Sequence, residues 1–209
     1  MSSIDTRKKI ATSAIKLFNQ YGVANVRLQM IADESKISIG NLAYHFKNKE
    51  AIIQLTITQL QKSFLEILSA FGQHNNFLDF DVQLDNIYHF IKNNPFFFFD
   101  AYDIKRNYPR ITLFKSNCPK KMLAHIDNRF RSSVEAGILK KEATKGYYSI
   151  LAQSIWNYIV FFIPQSLMLK KETPTLFEFK EHIWMQLIPH LTEKGNQEFA
   201  ILLSPSTLH

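Results

Sequence analysis

The chain has 209 residues, 46% of them hydrophobic and 21% charged, and a formal net charge of +7. Such a length supports one large or two small packed domains, and such a composition excludes a disordered or fibrous chain. Six scattered glycines argue against a phosphate-cradling nucleotide loop, while a single cysteine, Cys118, and the absence of an apolar leader make a reducing cytoplasm the expected setting.

The positive charge is uneven. Residues 1–62 carry nine Lys and Arg against four Asp and Glu, whereas residues 63–209 carry sixteen against fourteen. An amino-terminal module that neutralises phosphates, attached to a nearly balanced partner domain, has this distribution; so does a solvated basic helix face.

From Asp5 to Tyr21, the three- and four-residue spacing of Ile10, Ala14, Leu17, Phe18 and Tyr21 predicts an amphipathic helix ended by Gly22. Arg7, Lys8, Lys9 and Lys16 lie on its polar side. The stretch Arg27–Lys49 then predicts two short helices and a tight turn. Ile31, Ala32, Ile37, Leu42 and Phe46 face inward, while Gln29, Ser38, Asn41, Tyr44, His45, Lys47 and Lys49 remain outside. That is the pattern of a helix-turn-helix, whose second helix enters the DNA major groove.

The chemistry of the outer face fits duplex recognition. Ser38 is a suitable N-cap for the third helix, Asn41 can pair with an adenine edge, and Tyr44 and His45 can donate to phosphate or base acceptors. Ile39 or Ala43 can meet a thymine methyl, and Gly40 and Ala43 leave room for close approach. Partial burial of Tyr44 is an equally good reading of its position.

The run IADESKISIGNLAYHFKNKEAI, preceded by TRKKIATSAIKLFNQYG, resembles the DNA-binding domain of the TetR family of bacterial transcriptional regulators. The resemblance covers about residues 5–55. It rests on LF late in the first helix, IA in the second, S-x-G-x-L opening the third and HF-x-x-KE entering the fourth. It implies an all-helical homodimer whose third helices read a palindromic operator, with Lys49 holding a phosphate.

Three positions depart from the family pattern. Arg27 stands where Ser or Thr is usual, so it offers phosphate a guanidinium instead of capping a helix. Lys36 replaces a turn glycine and is expected to be left-handed, at a cost of roughly 1 kcal/mol. Ala43 replaces a frequent aromatic and shifts the grip towards Tyr44.

A long fourth helix is predicted from Asn48 to about Phe71, with Ile52, Leu55, Leu60, Phe64, Leu65 and Leu68 on its apolar side. The polar stretch from Gly72 to Asp79, with His74, Asn75 and Asn76, interrupts it. Further divisions fall near Asn94-Pro95, Tyr108-Pro109, Cys118-Pro119, Gly146, Pro174 and Gly195. Four consecutive aromatics, Phe96–Phe99, cannot share one helix face; they serve either as core or as the wall of an apolar ligand pocket. Phe96, Phe98, Phe99, Tyr102 and Trp156 are the candidate ligand residues.

Gly146–Leu169 has no charged residue and the length of a membrane span, but Ser149, Gln153, Ser154, Asn157, Pro164, Gln165 and Ser166 interrupt it. A buried subunit-interface helix, paired with Phe177–Leu191, fits this composition, and an internal core helix is the alternative. Tyr158, Phe161, Phe162, Trp184 and Leu187 are the candidate dimer residues.

Enzymatic signatures are lacking. The seven histidines form no metal-binding pattern, no Gly-x-Ser-x-Gly elbow occurs, and Cys118 carries no nucleophile motif. Asp100 and Asp103 could share a helix face as acid and base, although paired acids are common without catalysis.

The expectation is therefore an all-α protein without metal or cofactor. A helix-turn-helix domain, residues 1–48, would join through the fourth helix to a helical effector-binding and dimerisation domain, residues 49–209. The expected function is a ligand-responsive transcriptional regulator, acting as a repressor. Its DNA-binding residues are Arg27, Gln29, Ser38, Ile39, Gly40, Asn41, Ala43, Tyr44, His45 and Lys49. Its partners are an operator duplex, a small apolar effector and a second copy of the chain, with no membrane. The alternative is a helical lipid- or acyl-chain-binding module whose first helices serve only as structure.

Overall fold

A computed structural model describes residues 3–69, 76–111, 118–170 and 172–202. Eleven α-helices account for most of them: α1 Ser3–Asn25, α2 Leu28–Glu34, α3 Ile39–His45, α4 Lys49–Ser69, α5 Phe77–Asn93 and α6 Pro95–Phe99, followed by α7 Ala101–Asn107, α8 Cys118–Glu135, α9 Tyr147–Lys170, α10 Leu176–Leu187 and α11 Glu193–Leu202. Among the described residues, extended pairing is limited to the bridge between Leu139 and Leu191. The expected all-helical class is what the chain adopts.

Two compact units form. One comprises residues 1–64 with 93–116, the other 65–92 with 117–209. The division expected after residue 48 marks the end of the helix-turn-helix. The first unit extends further because it takes in the start of α4 together with α6 and α7.

In the first unit, Ile10, Ala14, Leu17 and Phe18 of α1 are buried with Ile31, Ala32, Leu42 and Phe46. Tyr21 departs from the expected apolar face and is 44% exposed, because it lies where the helix breaks: Gly22 takes φ 74 and ψ 154. That conformation is open almost only to glycine. On α4, Ile52, Leu60, Phe64 and Leu68 are buried as expected, while Leu55 and Leu65 are half-buried. Ile53 and Ile57 are fully buried instead, so the apolar stripe is wider than one face of predicted residues.

The aromatic run belongs to this unit. Pro95 opens α6 at a position where its missing N–H costs nothing, and Phe96, Phe97 and Phe98 are all buried. Phe96 packs on Phe18 with ring centres 5.3 Å apart, and Phe98 meets Phe64 edge-on at 5.6 Å.

The second unit packs α5, α8, α9, α10 and α11. Helix α5 starts at Phe77, inside the interruption predicted up to Asp79, because the Asn76 side chain accepts from the Asp79 N–H at 2.8 Å and caps it. The rest of that interruption, including His74 and Asn75, lies outside the described residues, as do Phe71 and the side chain of Cys118. Lys180 on α10 pairs with Asp81 at 2.6 Å and with Asp85, and Trp184 donates to Asp81 at 3.0 Å. Helix α10 begins with a capping box between Thr175 and Glu178. Gly195 does not divide helices; it sits in the first turn of α11, where a Cβ would lie 2.3 Å from the Ile138 carbonyl oxygen.

Lys36 has φ 52, the left-handed conformation expected of it. Lys36→Gly should therefore stabilise the protein by about 0.5 kcal/mol, the relieved strain being partly offset by glycine's larger unfolded-state entropy. A rise in the urea midpoint at unchanged slope measures it.

A candidate DNA-reading surface

The turn and caps of the helix-turn-helix are made locally. Arg27 precedes α2 without a side-chain cap, leaving its guanidinium exposed, and Gln29 donates to Asp33 at 2.7 Å. Ser38 accepts from the Asn41 N–H at 3.1 Å, so the start of α3 is capped as its sequence predicts. Leu42 and Phe46 anchor α3 inward at 0% and 3% exposure. The helix therefore turns Ile39, Gly40, Asn41, Ala43 and Tyr44 to solvent. Tyr44 is 82% exposed, which removes the partly buried reading of this residue.

Arg7 acts at the far end of α3. It donates to the His45 carbonyl at 2.7 Å and lies over the Phe46 ring at 4.3 Å, so it braces the helix where its carbonyls are unsatisfied. The half-buried His45 ring meets Tyr44 edge-on at 5.2 Å.

Lys49 has partners within the chain. Its ammonium donates to the Val23 carbonyl at 2.5 Å and reaches that of Ala24 at 3.5 Å, and burial pushes its pKa down. The group implied to hold a phosphate is engaged by the last residues of α1, past its break at Gly22. Asp100, considered as a catalytic acid, is likewise engaged: it accepts from the Val23 N–H at 2.5 Å. Burial pushes its carboxyl up, that hydrogen bond pulls it down, and Asp103 pushes it up again.

The candidate ligand residues do not share one place. Phe96 and Phe98 are core residues of the first unit, Phe99 is half-buried, and Tyr102 is 75% exposed. Trp156 instead lines a cavity wholly within the second unit, with Leu68, Phe80, Leu84, Ile87, Ile126, Ile155 and Ile159. Its free space is only ≈ 20 Å³, about one water. Gln83 and His125 are its polar groups, which sequence inspection passed over because each stands alone in an apolar pattern. The Gln83 amide donates to the Leu68 carbonyl at 3.1 Å and lies 3.2 Å from His125 Nε2, an arrangement that makes that ring nitrogen the acceptor.

Burial first, and Arg129 second, push His125 below the ordinary 6.5; burial and Lys140 do the same to His190. The unfolded chain then binds protons more readily than the folded one just below that value. Unfolding free energy should consequently fall as pH drops through 6.5 towards the folded values. Urea titrations at a series of pH values check the slope, and His125→Asn should remove part of it.

On the outer side of the second unit, Phe161 is 64% exposed, while Tyr158 and Phe162 are half-buried against the His182 ring at 5.4 and 5.2 Å. Trp184 and Leu187 point the other way, at 5% and 2% exposure, with Trp184 packed on Phe77, Phe80 and Phe199. They are core residues of their own chain. Ile150, Met168, Leu169, Phe177 and Met185, none of them among the candidate dimer residues, are also exposed on α9 and α10. Among the described residues no helix is long and apolar enough to cross a membrane, so α9 is not a span.

A capped, outward-facing α3 braced by α1 and α2 defines a helix-turn-helix DNA-binding regulator. The model of bacterial regulatory proteins of the tetR family matches residues 10–55, and that of a bacterial transcriptional repressor named TetR matches residues 59–199. The chain belongs to the TetR family. It is 35% identical over 67 residues to the HTH-type regulator RutR of Escherichia coli, and 31% identical over 97 residues to an HTH-type regulator of Staphylococcus aureus. These matches span 32% of this chain and 32% of RutR, and 44% of this chain and 51% of the staphylococcal protein. A TetR-family regulator from Marinobacter aquaeolei superimposes with a TM-score of 0.81 at 25% identity, over 96% of this chain and 97% of that one. The SmeT–triclosan complex shares the fold, with a TM-score of 0.67 at 16% identity over 90% of this chain and 93% of that one.

Proposed function

We propose that this regulator is a repressor that binds a palindromic operator as a homodimer and leaves it when a small, largely apolar effector binds. The observation that carries the DNA half of this reading is α3 itself, with Asn41 and Tyr44 exposed while Leu42 and Phe46 hold the helix down. Arg27 and Gln29 at the start of α2, and Ser38, Ile39, Gly40, Ala43 and His45 around the readers, complete the surface. Lys49 belongs to it as a support.

A homodimer is supported by the apolar side chains that α9 and α10 leave exposed, Phe161 foremost. Tyr158 and Phe162 flank it, and Trp184 and Leu187 support the face from within. The effector site favoured here is the cavity beside Trp156, whose apolar walls and Gln83–His125 pair offer a mostly apolar molecule one hydrogen-bonding partner; since its free space holds about one water, an effector would enter only as the surrounding helices part. The SmeT–triclosan complex is consistent with a small-molecule effector in this fold.

Selection of bound duplexes from random DNA tests the reading. A recovered palindrome whose half-sites lie about one helical turn apart, bound with strong salt dependence, is expected. Salt-insensitive or unselective binding would instead favour a lipid-binding module.

A further inference from the structure

The end of α1, past its break at Gly22, is held from two distant parts of the first unit. Val23 is 2% exposed; its N–H donates to Asp100 and its carbonyl accepts from Lys49, each at 2.5 Å. Gly22, just before it, has the φ 74 that a side chain would resist, and a Cβ there would lie 3.5 Å from the same Asp100 oxygen.

The segment carrying Asp100 is itself sewn to α1. Asn19 donates to the Asn93 carbonyl at 2.9 Å and accepts from the Phe96 N–H at 3.4 Å, one helical turn before the Val23 contact. Phe96 on Phe18 adds an apolar contact beside these polar ones. Asn93–Asp100 thus follows α1 along its last turn and ends on Val23, past the break at Gly22.

We infer that Asp100 and Lys49 are positioning residues for operator reading: by holding Val23 they fix the end of α1 past its break at Gly22, and thereby the attitude of α2 and α3. This rests on the proposal that α3 reads the operator. The acceptor oxygen of Asp100 is the feature that matters, because its partner is a neutral backbone N–H.

The full-length chain carrying Asp100→Ala or Asp100→Asn tests the inference. Asparagine keeps an acceptor oxygen at the same reach. In the absence of DNA, amide exchange at Val23 and across α2 and α3 should be about tenfold faster in Asp100→Ala and within about threefold of the parent in Asp100→Asn. Affinity for a duplex selected on the parent should fall about tenfold or more with alanine and recover with asparagine. Exchange in α2 and α3 unchanged by alanine, or asparagine as damaging as alanine, would overturn it. Asp100→Ser, whose hydroxyl sits one bond closer to the backbone and stops short of the Val23 N–H, supplies the same comparison if the alanine variant does not fold. A parent that selects no duplex defeats the operator reading, and the exchange measurement still decides the positioning of the end of α1.

Discussion

Asn41→Ala combined with Tyr44→Ala is expected to lower operator affinity by about 100-fold, since loss of each base or phosphate contact typically removes about 1–3 kcal/mol. Both side chains are exposed, and neither supports the core. The thermal midpoint should consequently stay close to that of the parent, which separates loss of recognition from loss of fold. Asn41 is the sharper of the two. Its backbone N–H is held by Ser38, so substitution removes the side-chain amide without releasing the cap. Binding curves against the selected duplex and against single-base variants of it supply the measurement. Retained affinity in the folded double variant would place the reading surface elsewhere.

The second large effect concerns stability. Phe97 is fully buried, and Phe97→Ala is expected to cost about 3–5 kcal/mol, the range for removing an aromatic side chain from a packed interior. Tyr102→Ala, at a residue 75% exposed, should stay within about 0.5 kcal/mol. The contrast discriminates between the two uses of the aromatic run. A ligand wall would tolerate truncation at Phe97 and change effector affinity; a core residue lowers the urea midpoint whether or not a ligand is present. Phe97 contacts Phe98 edge-on at 4.9 Å, so part of the loss is an aromatic pair as well as buried area.

The helix-turn-helix was legible because its signals are local. Ser38 caps α3 three residues before its partner, Lys36 takes the left-handed turn that its position demands, and the inward set repeats at helical spacing. The contacts of Arg7 and Lys49 were not legible, for the opposite reason. Their charge is visible in the sequence, but their partners, His45 and Val23, lie 38 and 26 residues away. A cation on a polar helix face looks the same whether it awaits a phosphate or already holds a carbonyl.

The same limit shaped the larger helices. Four aromatics in a row identify a packed segment, yet nothing in Phe96–Phe99 states that Phe18 and Phe64 are its neighbours. Trp184 and Leu187 share a helix with exposed Met185, and periodicity alone does not say which side meets the chain's own core. Asp81 decides it, by drawing the Trp184 indole and Lys180 inward. Gln83 and His125 are invisible singly, because a buried polar pair exists only once two helices have met.

The chain has two tryptophans, Trp156 beside the apolar cavity and Trp184 among Phe77, Phe80 and Phe199. Both belong to the second unit, and none lies among residues 1–64 or 93–116. Intrinsic indole emission is therefore an optical probe that nature has confined to one half of the molecule. Its colour follows events around the cavity, while the helix-turn-helix, lit only by tyrosines, needs a dye of its own to be seen.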